Sequence, residues 1–322
     1  MKRVVITGAN GFVGSFLTRK LNEQNYSVTC IVRKGSNTDL LPKNSNIIFI
    51  DYNNEKEIKK AFQNHEILIH LAAKTKAKKW DEFNKANILL TDKLIEIFNS
   101  EESFRQFIFI SSQAAAGPSK GKNPKTETDF PKPISMYGKS KLEAENLVQN
   151  KTKAKWTIIR PSSVYGPGDK DFLQYFRLTK KHLSPLVGFK KKYLSLIYVD
   201  ELTEFIAKTI GNEKAFNEIF FASDGQIYCW EDFATDLSRA IGTFAITFRI
   251  PEFLIKPFAL FSEIISGKNY PTFNREKAKE MLQDSWLVST RKAEKILDFE
   301  PKANLQENLR NTYLWYKEHG WI

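Results

Sequence analysis

The 322-residue chain carries 49 Lys and Arg against 37 Asp and Glu, a formal net charge of +12, with 42% hydrophobic residues and two cysteines. Cys30 and Cys229 imply no disulfide framework and point to a reduced, cytoplasmic setting, and the length exceeds a usual single core, predicting one large unit with a smaller lobe. The charge fits attraction to anionic lipids or a phosphate-bearing substrate, but the lysines are spread along the chain and nothing resembles a nucleic-acid-binding module.

The chain opens directly on a predicted strand, with no secretory signal before it. Arg3-Val4-Val5-Ile6-Thr7 runs into Gly8-Ala9-Asn10-Gly11-Phe12-Val13-Gly14 and then into apolar residues at helical spacing, which reads as strand, tight turn, helix. Gly8 permits the turn, Gly11 lets backbone approach a pyrophosphate, and Gly14 lets helix and strand pack closely. The helix N-terminus offers unpaired N–H groups to phosphate. Asn10, Phe12 and Val13 join the three glycines as candidate dinucleotide contacts. Strands predicted near 2–7, 27–33, 46–50, 66–71, 105–111 and 155–160, with a further one at 215–222, alternate with helical patterns. That alternation predicts an α/β fold, a Rossmann-type doubly wound parallel sheet with helices on both faces and a smaller C-terminal substrate-binding lobe.

The second strand ends Ile31-Val32-Arg33-Lys34. Rossmann proteins that use NAD place Asp or Glu there to hold the ribose diol, and that carboxylate repels a 2′-phosphate. Val32 occupies the acidic position and Arg33 follows, a guanidinium suited to phosphate, with Lys34 adding charge. NADP(H) is therefore favoured over NAD(H). Lys74, Lys76, Lys78 and Lys79 form the one tight basic cluster and are expected near the cofactor cleft. The stretch from Gly117 to Pro133, rich in Pro, Gly, Lys and Thr, reads as a surface loop beside the active site.

Tyr137-Gly138-Lys139-Ser140-Lys141 opens a predicted helix and sets a phenol and an ammonium one turn apart on the same face. A free tyrosine, with a pKa near ~10, is a poor proton shuttle at neutral pH, and a fixed cation nearby favours its phenolate. Lys141 is thus expected to tune Tyr137 as an acid and base. Further on, residues 251–265 are strongly aromatic and apolar, yet too short and too interrupted by Lys256 and Pro257 to span a bilayer. A core or lid helix, an apolar lid over a lipid-like or aromatic substrate, and an interfacial helix all stay open. Trp286-Leu287-Val288 and Thr312-Tyr313-Leu314-Trp315-Tyr316 read as packing aromatics. His65, His70, His182 and His319 show no metal-ligand spacing, and no metal is expected.

The glycine pattern, the Tyr137 and Lys141 pair and a serine upstream together resemble an extended short-chain dehydrogenase/reductase of the NAD(P)-dependent epimerase/dehydratase type, over nearly the whole chain. Asp51-Tyr52 resembles the acidic site that meets the adenine, and His70-Leu71-Ala72-Ala73 the strand end that lines the cofactor. Asn87 with Thr91 resembles the family's Asn-x-x-x-Thr. Arg160-Pro161-Ser162-Ser163-Val164-Tyr165-Gly166-Pro167-Gly168 resembles the segment packed on the nicotinamide, with Pro161, Ser163 and Val164 as contacts. The resemblance puts the catalytic hydroxyl on Ser112, 25 residues before Tyr137. Ser111 competes for that role, and strand alternation sends the two side chains to opposite faces.

The same resemblance implies that Ser112 holds the substrate oxygen beside Tyr137, that Lys141 bonds the nicotinamide ribose, and that Asn87 holds the active-site helix or a water relay. Sugar dehydratases of the family place Asp-Glu after the catalytic hydroxyl; Gln113-Ala114 stands here, which argues against dehydration. Tyr26 to Arg33 looks like the second strand of dihydroflavonol reductase and 3β-hydroxysteroid dehydrogenase relatives. The expected activity is hydride transfer between NADP(H) and a secondary alcohol or ketone. The alternative is a nucleotide-sugar epimerase with tightly bound NAD, in which Arg275 or Arg291 binds the nucleotide. The expected layout is a Rossmann domain over 1–165, rejoined by 193–222, with 166–192 and 223–322 mainly forming the substrate lobe. Lys192 to Asp200 resembles the returning strand, with Asp200 capping the next helix. A small-molecule substrate is the expected partner; peripheral membrane contact and a homodimer stay open.

Overall fold

The computed structural model describes residues 2–266, 271 and 273–322. Its first half alternates strand and helix: β1 (Arg3–Thr7), α1 (Phe12–Glu23), β2 (Ser27–Arg33), β3 (Asn46–Ile50), α2 (Glu55–Phe62), β4 (Ile67–His70), α3 (Trp80–Phe83), α4 (Leu90–Ser100), β5 (Gln106–Ile110), α5 (Gln113–Ala116), α6 (Met136–Lys151) and β6 (Lys155–Pro161). The second half breaks into smaller pieces: β7 (Ser163–Tyr165), α7 (Leu173–Lys180), β8 (Leu183–Val187), β9 (Tyr193–Leu194), β10 (Leu196–Tyr198), α8 (Val199–Thr209), β11 (Glu218–Ala222), β12 (Tyr228–Cys229), α9 (Trp230–Ile241), β13 (Ile246–Ile250), α10 (Glu252–Ile265), α11 (Arg275–Met281), β14 (Ser285–Trp286), α12 (Arg291–Leu297) and α13 (Leu305–Glu318).

Seven strands form one sheet in the order β11-β6-β5-β4-β1-β2-β3, and every neighbouring pair is parallel. Helices cover both faces, as the alternating pattern predicts. Val4 and Ile6 join a core with Leu17, Ile69, Ile108 and Phe205 on one face. Val5, between them, joins Leu68, Ile95, Phe98 and Phe107 on the other. Strands buried on both sides need continuous apolar runs, which is why β4 reads Ile-Leu-Ile without alternation. Strand order reverses between β1 and β4, so a crevice opens outside their carboxyl ends, where open α/β sheets bind ligands.

The later strands build small sheets: β8 with β13, β9 with β12 and β14, and β10 with β7. The chain re-enters the large unit through α8, whose Leu202, Phe205 and Ile206 pack with Leu17 and Leu21 of α1, and through β11 beside β6. Asp200 does not cap α8. The helix starts one residue earlier, after Tyr198, without a side-chain cap; Asp200 lies in the first turn, where its charge suits the helix dipole. Between α3 and α4 the helix widens into a π turn over Asn84–Leu89, which apolar spacing does not signal. Among the described residues no helix is long and apolar enough to cross a membrane.

Candidate active site

The glycine turn after β1 is fixed by sterics. Gly8 has φ +74°, and a Cβ on Gly14 would stand 2.2 Å from the Gly8 carbonyl oxygen and 2.8 Å from Ala9 Cα, so α1 can lie this close to β1 only with glycine there. Gly11 precedes α1 with no side-chain cap on the helix, and a Cβ placed on it would meet only the Gly8 oxygen, at 3.3 Å. The uncapped start of α1 borders an open space.

That space is one end of a cleft of about 760 Å³, within the range of small-molecule sites. Gly8, Asn10, Gly11, Phe12, Val13 and Gly14 line this end, with Leu71 and Ala73 beyond β4. Ser112, Tyr137, Lys141, Pro161, Ser163 and Val164 line the facing wall. Five expected cofactor contacts stand off it. Ala72 touches Gly8 through its backbone. Tyr52 lies near the turn; burial pushes its phenol up, and the neighbouring Arg33 guanidinium and Gly8 backbone oppose the rise. Asp51 is exposed and donates its backbone N–H to Glu57 at 2.9 Å. Arg33 is exposed at the end of β2 and has no acidic partner among the described residues, whereas Lys34 pairs with Glu57 at 2.7 Å.

Asn87, the fifth, is buried in the π turn. Its Oδ1 accepts from the Lys74 N–H at 2.7 Å, and its Nδ2 donates to the Lys74 carbonyl at 3.0 Å and to Ser140 Oγ at 2.8 Å. It ties the segment after β4 to α6 and so positions the helix that carries Tyr137 and Lys141. His70 is a core residue: its ring nitrogens bond Thr7 and Thr91 at 2.6 and 3.0 Å, and burial pulls its pKa down to about 3. Of the four clustered lysines only Lys76 lines the cleft, paired there with Asp171. Among the described residues no three His, Cys, Asp or Glu side chains gather as a metal site.

Strand alternation separates the two serines. Ser111 donates to buried Glu145 of α6, whose carboxylate also receives Arg160 Nε at 2.9 Å and Nη2 at 2.6 Å. Ser112 Oγ accepts from the Ala114 N–H at 3.1 Å and lines the cleft wall beside the Tyr137 phenol. Ser135 caps α6 by accepting from the Gly138 N–H at 3.1 Å, which fixes the first turn holding Tyr137.

The electrostatics correct one expectation. Burial pushes the Tyr137 phenol up, and the neighbouring Ser112 hydroxyl offsets only part of this; Glu280 and Asp171 add to the rise. Lys141 is not what lowers it. Its Nζ donates to the Ile110 carbonyl at 2.8 Å and stands 4.0 Å over the Phe109 ring. Burial pulls Lys141 down to about 7, against the opposing Glu145 carboxylate. Helical spacing brings phenol and amine to one wall, but desolvation of each, and not their pairing, dominates the two shifts.

The site fits a dinucleotide on its own chemistry. Besides the uncapped helix start, Gln113 Oε1 and Ser162 Oγ are buried in the cleft wall without partners among the described residues, and such atoms call for a polar ligand. The far end of the cleft is built from residues that sequence reasoning did not find. Tyr175 stacks on Trp230 at 5.0 Å, beside Pro185, Leu186 and Trp286. Arg249 pairs there with Glu231 at 2.6 Å and Lys192 with Glu252 at 2.9 Å, Lys277 stands 3.5 Å from Glu280, and exposed Lys190 lines the cleft as well. Arg275 pairs with Glu263 at 2.8 Å and Arg291 is exposed; neither lines the cleft. These residues come from separate segments with no shared motif, so no local signal marks them. The Gly117 to Pro133 loop is tied to the C-terminal segment by Ser119 N–H to the Ser285 carbonyl at 3.0 Å and Lys125 N–H to the Leu287 carbonyl at 2.9 Å.

Comparison with known proteins agrees with this geometry. The model of the NAD dependent epimerase/dehydratase family matches residues 4–220. The chain is 27% identical to UDP-glucose 4-epimerase of Vibrio cholerae, covering 97% of this chain and 94% of the relative. It is 28% identical to sterol-4-alpha-carboxylate 3-dehydrogenase, decarboxylating, of Dictyostelium discoideum, covering 95% of each. In fold it is similar to UDP-glucose 4-epimerase of Thermotoga maritima, solved with UDP-glucose, at a TM-score of 0.80 and 22% identity over 98% of this chain and 99% of that one. With a family match over residues 4–220 and a cleft built on the glycine turn, the chain belongs to the NAD-dependent epimerase/dehydratase family.

Proposed function

We propose that the protein is an NADP(H)-dependent oxidoreductase interconverting a secondary alcohol and a ketone, with Ser112, Tyr137 and Lys141 as its catalytic residues. The observation that carries this reading is that Ser112, Tyr137 and Lys141 line one wall of the cleft that opens on the glycine turn, with the Ser112 hydroxyl near enough to the phenol to offset part of its rise. The bound nicotinamide supplies or accepts the hydride. Ser112 donates a hydrogen bond to the substrate oxygen, where charge develops. Tyr137 gives that oxygen its proton in reduction and takes it back in oxidation; the raised phenol keeps its proton until the alkoxide forms. Lys141, anchored on the Ile110 carbonyl, would hold the nicotinamide ribose. Gln113 and Ala114 bring no carboxyl beside Ser112, so elimination of water lacks its acid and base.

Two features favour an uncharged substrate. The far end of the cleft is aromatic, and three of the cations that line it, Arg249, Lys192 and Lys277, are matched by Glu231, Glu252 and Glu280, leaving exposed Lys190. The Dictyostelium relative, named as a sterol dehydrogenase, supports the same chemistry. Val32 in place of a ribose-binding carboxylate, with the Arg33 guanidinium next to it unpaired among the described residues, supports NADP(H).

A second reading, a nucleotide-sugar epimerase holding NAD, draws support from the Vibrio relative. One experiment separates the two. Purified protein is given NADPH or NADH with a panel of sterol, aromatic and aliphatic ketones, and in parallel NAD with UDP-glucose. Oxidation of NADPH by a ketone, faster than of NADH, is expected. Epimerised UDP-glucose with no net change in coenzyme, and no ketone reduced, overturns the first reading in favour of the second.

A further inference from the structure

α10 is apolar on its outward side as well as its inward one. A surface helix turns its apolar stripe to the core and its polar face outward. Here only Ile255 and Ala259 are buried, against Ala278 of α11 with Val187 and Ile250 alongside. Phe253, Phe258, Leu260, Phe261, Ile264 and Ile265 all face out, Phe253 with 75% and Ile264 with 68% of its surface exposed.

The apolar surface continues past the helix. Leu183, Pro185 and Val187 of β8 alternate onto one face with Ile246, Phe248 and Ile250 of β13, their register partners. α10 covers the Val187 and Ile250 end and leaves Leu183, Ile246 and Phe248 exposed. Pro185 and Val187 also line the cleft, so the patch runs to its mouth. Around it Lys180, Lys181, Lys190, Lys191 and Lys256 are exposed, while the helix's own acids are matched, Glu252 by Lys192 and Glu263 by Arg275. A contiguous apolar patch marks an interaction site, and a lysine rim selects an anionic one. At 14 residues, roughly 21 Å long, α10 is too short to span a bilayer and suited to lie in its interface.

We propose that this face seats the protein on an anionic bilayer surface, with α10 in the headgroup boundary, and that the substrate is an amphiphilic lipid whose alcohol or ketone passes into the cleft beside β8. The lysines meet lipid phosphates and the aromatic side chains enter the acyl boundary. The substrate's redox group rests on the oxidoreductase reading; the docking does not.

The test sediments the full chain with vesicles of phosphatidylcholine and phosphatidylglycerol in equal parts, or of phosphatidylcholine alone. Binding to the anionic vesicles is expected, weaker by roughly tenfold on neutral vesicles or at high salt. The exposed-face variant Phe253→Ser/Phe261→Ser/Ile264→Ser should lose vesicle binding by at least about tenfold while keeping its melting temperature and NADPH affinity. With sterol and long-chain ketones carried in the vesicles, wild type should oxidise NADPH and the variant should lose that rate, yet keep the rate on a water-soluble ketone. No sedimentation with anionic vesicles overturns the proposal, as does a variant that binds like wild type. So does a dimer in solution that the variant dissociates, since a second copy then covers the face. Vesicle binding without reduction of any ketone supports the docking surface and overturns the lipid substrate together with the oxidoreductase reading. Reduction of soluble ketones without vesicle binding overturns the docking and leaves that reading standing.

Discussion

Glu145→Gln removes one charge from the wall behind the site while keeping its shape. Glu145 is fully buried and receives Arg160 through two nitrogens, at 2.9 and 2.6 Å, as well as the Ser111 hydroxyl. Arg160 is itself buried, and its Nη1 already lacks a partner among the described residues. The variant leaves that guanidinium facing an amide, and breaking one side of a buried pair costs about 3–5 kcal/mol. An unfolding entropy of about 2.1 cal/mol/K per residue gives roughly 0.7 kcal/mol/K over 322 residues, so Tm should fall by roughly 4–7 °C. Thermal melts followed by circular dichroism read this directly. The double variant Glu145→Leu/Arg160→Met, apolar on both sides, should recover most of the loss. A single variant melting within about a degree of wild type refutes the buried-pair argument. A double variant no better than the single shows that the unpaired charge is not the source.

Lys141 falls to about 7 in the folded chain from an ordinary 10.5. Between those values the unfolded chain holds the extra proton, so stability rises as pH climbs from about 7 towards ~10 and is lowest where the buried lysine is fully charged. Lys141→Met should flatten that slope and melt higher near pH ~7; identical slopes in melts across this window would contradict the burial of a titrating lysine. Arg33→Ser should weaken NADPH by about tenfold or more and leave NADH nearly unchanged in fluorescence titrations. Equal losses for both coenzymes remove the 2′-phosphate argument.

The large sheet was legible because its inner strands are buried on both faces and therefore spelled as short apolar runs; the stretch read at 27–33 is β2 to the residue, and 46–50 is β3, an edge strand that keeps an apolar run although Phe49 is exposed. β11 starts later than the run from 215 suggests, because Glu213–Ala215 forms a 3₁₀ turn capped by Asn212. The glycine turn and the Tyr137 helix were legible for the same reason, since each is a local constraint of sterics or helical period. What stayed hidden depends on long-range partners. Glu276 reaches across 140 residues to accept the Met136 N–H at 2.6 Å at the start of α6, and the aromatic and ion-paired far end of the cleft is assembled from segments that share no pattern. The phenol's tuning was misjudged because spacing reports proximity, whereas the balance is set by desolvation of both groups. The outward apolar face of α10 is visible only once burial shows how little of the helix meets the core.

Tyr137→Phe deletes one hydroxyl, the phenol that lines the cleft wall beside Ser112. With NADPH and a ketone reduced by wild type, the variant should bind coenzyme within about twofold of wild type and lose about 10²–10⁴ in kcat/KM. Turnover retained within about tenfold, with coenzyme binding intact, would contradict proton transfer from this phenol.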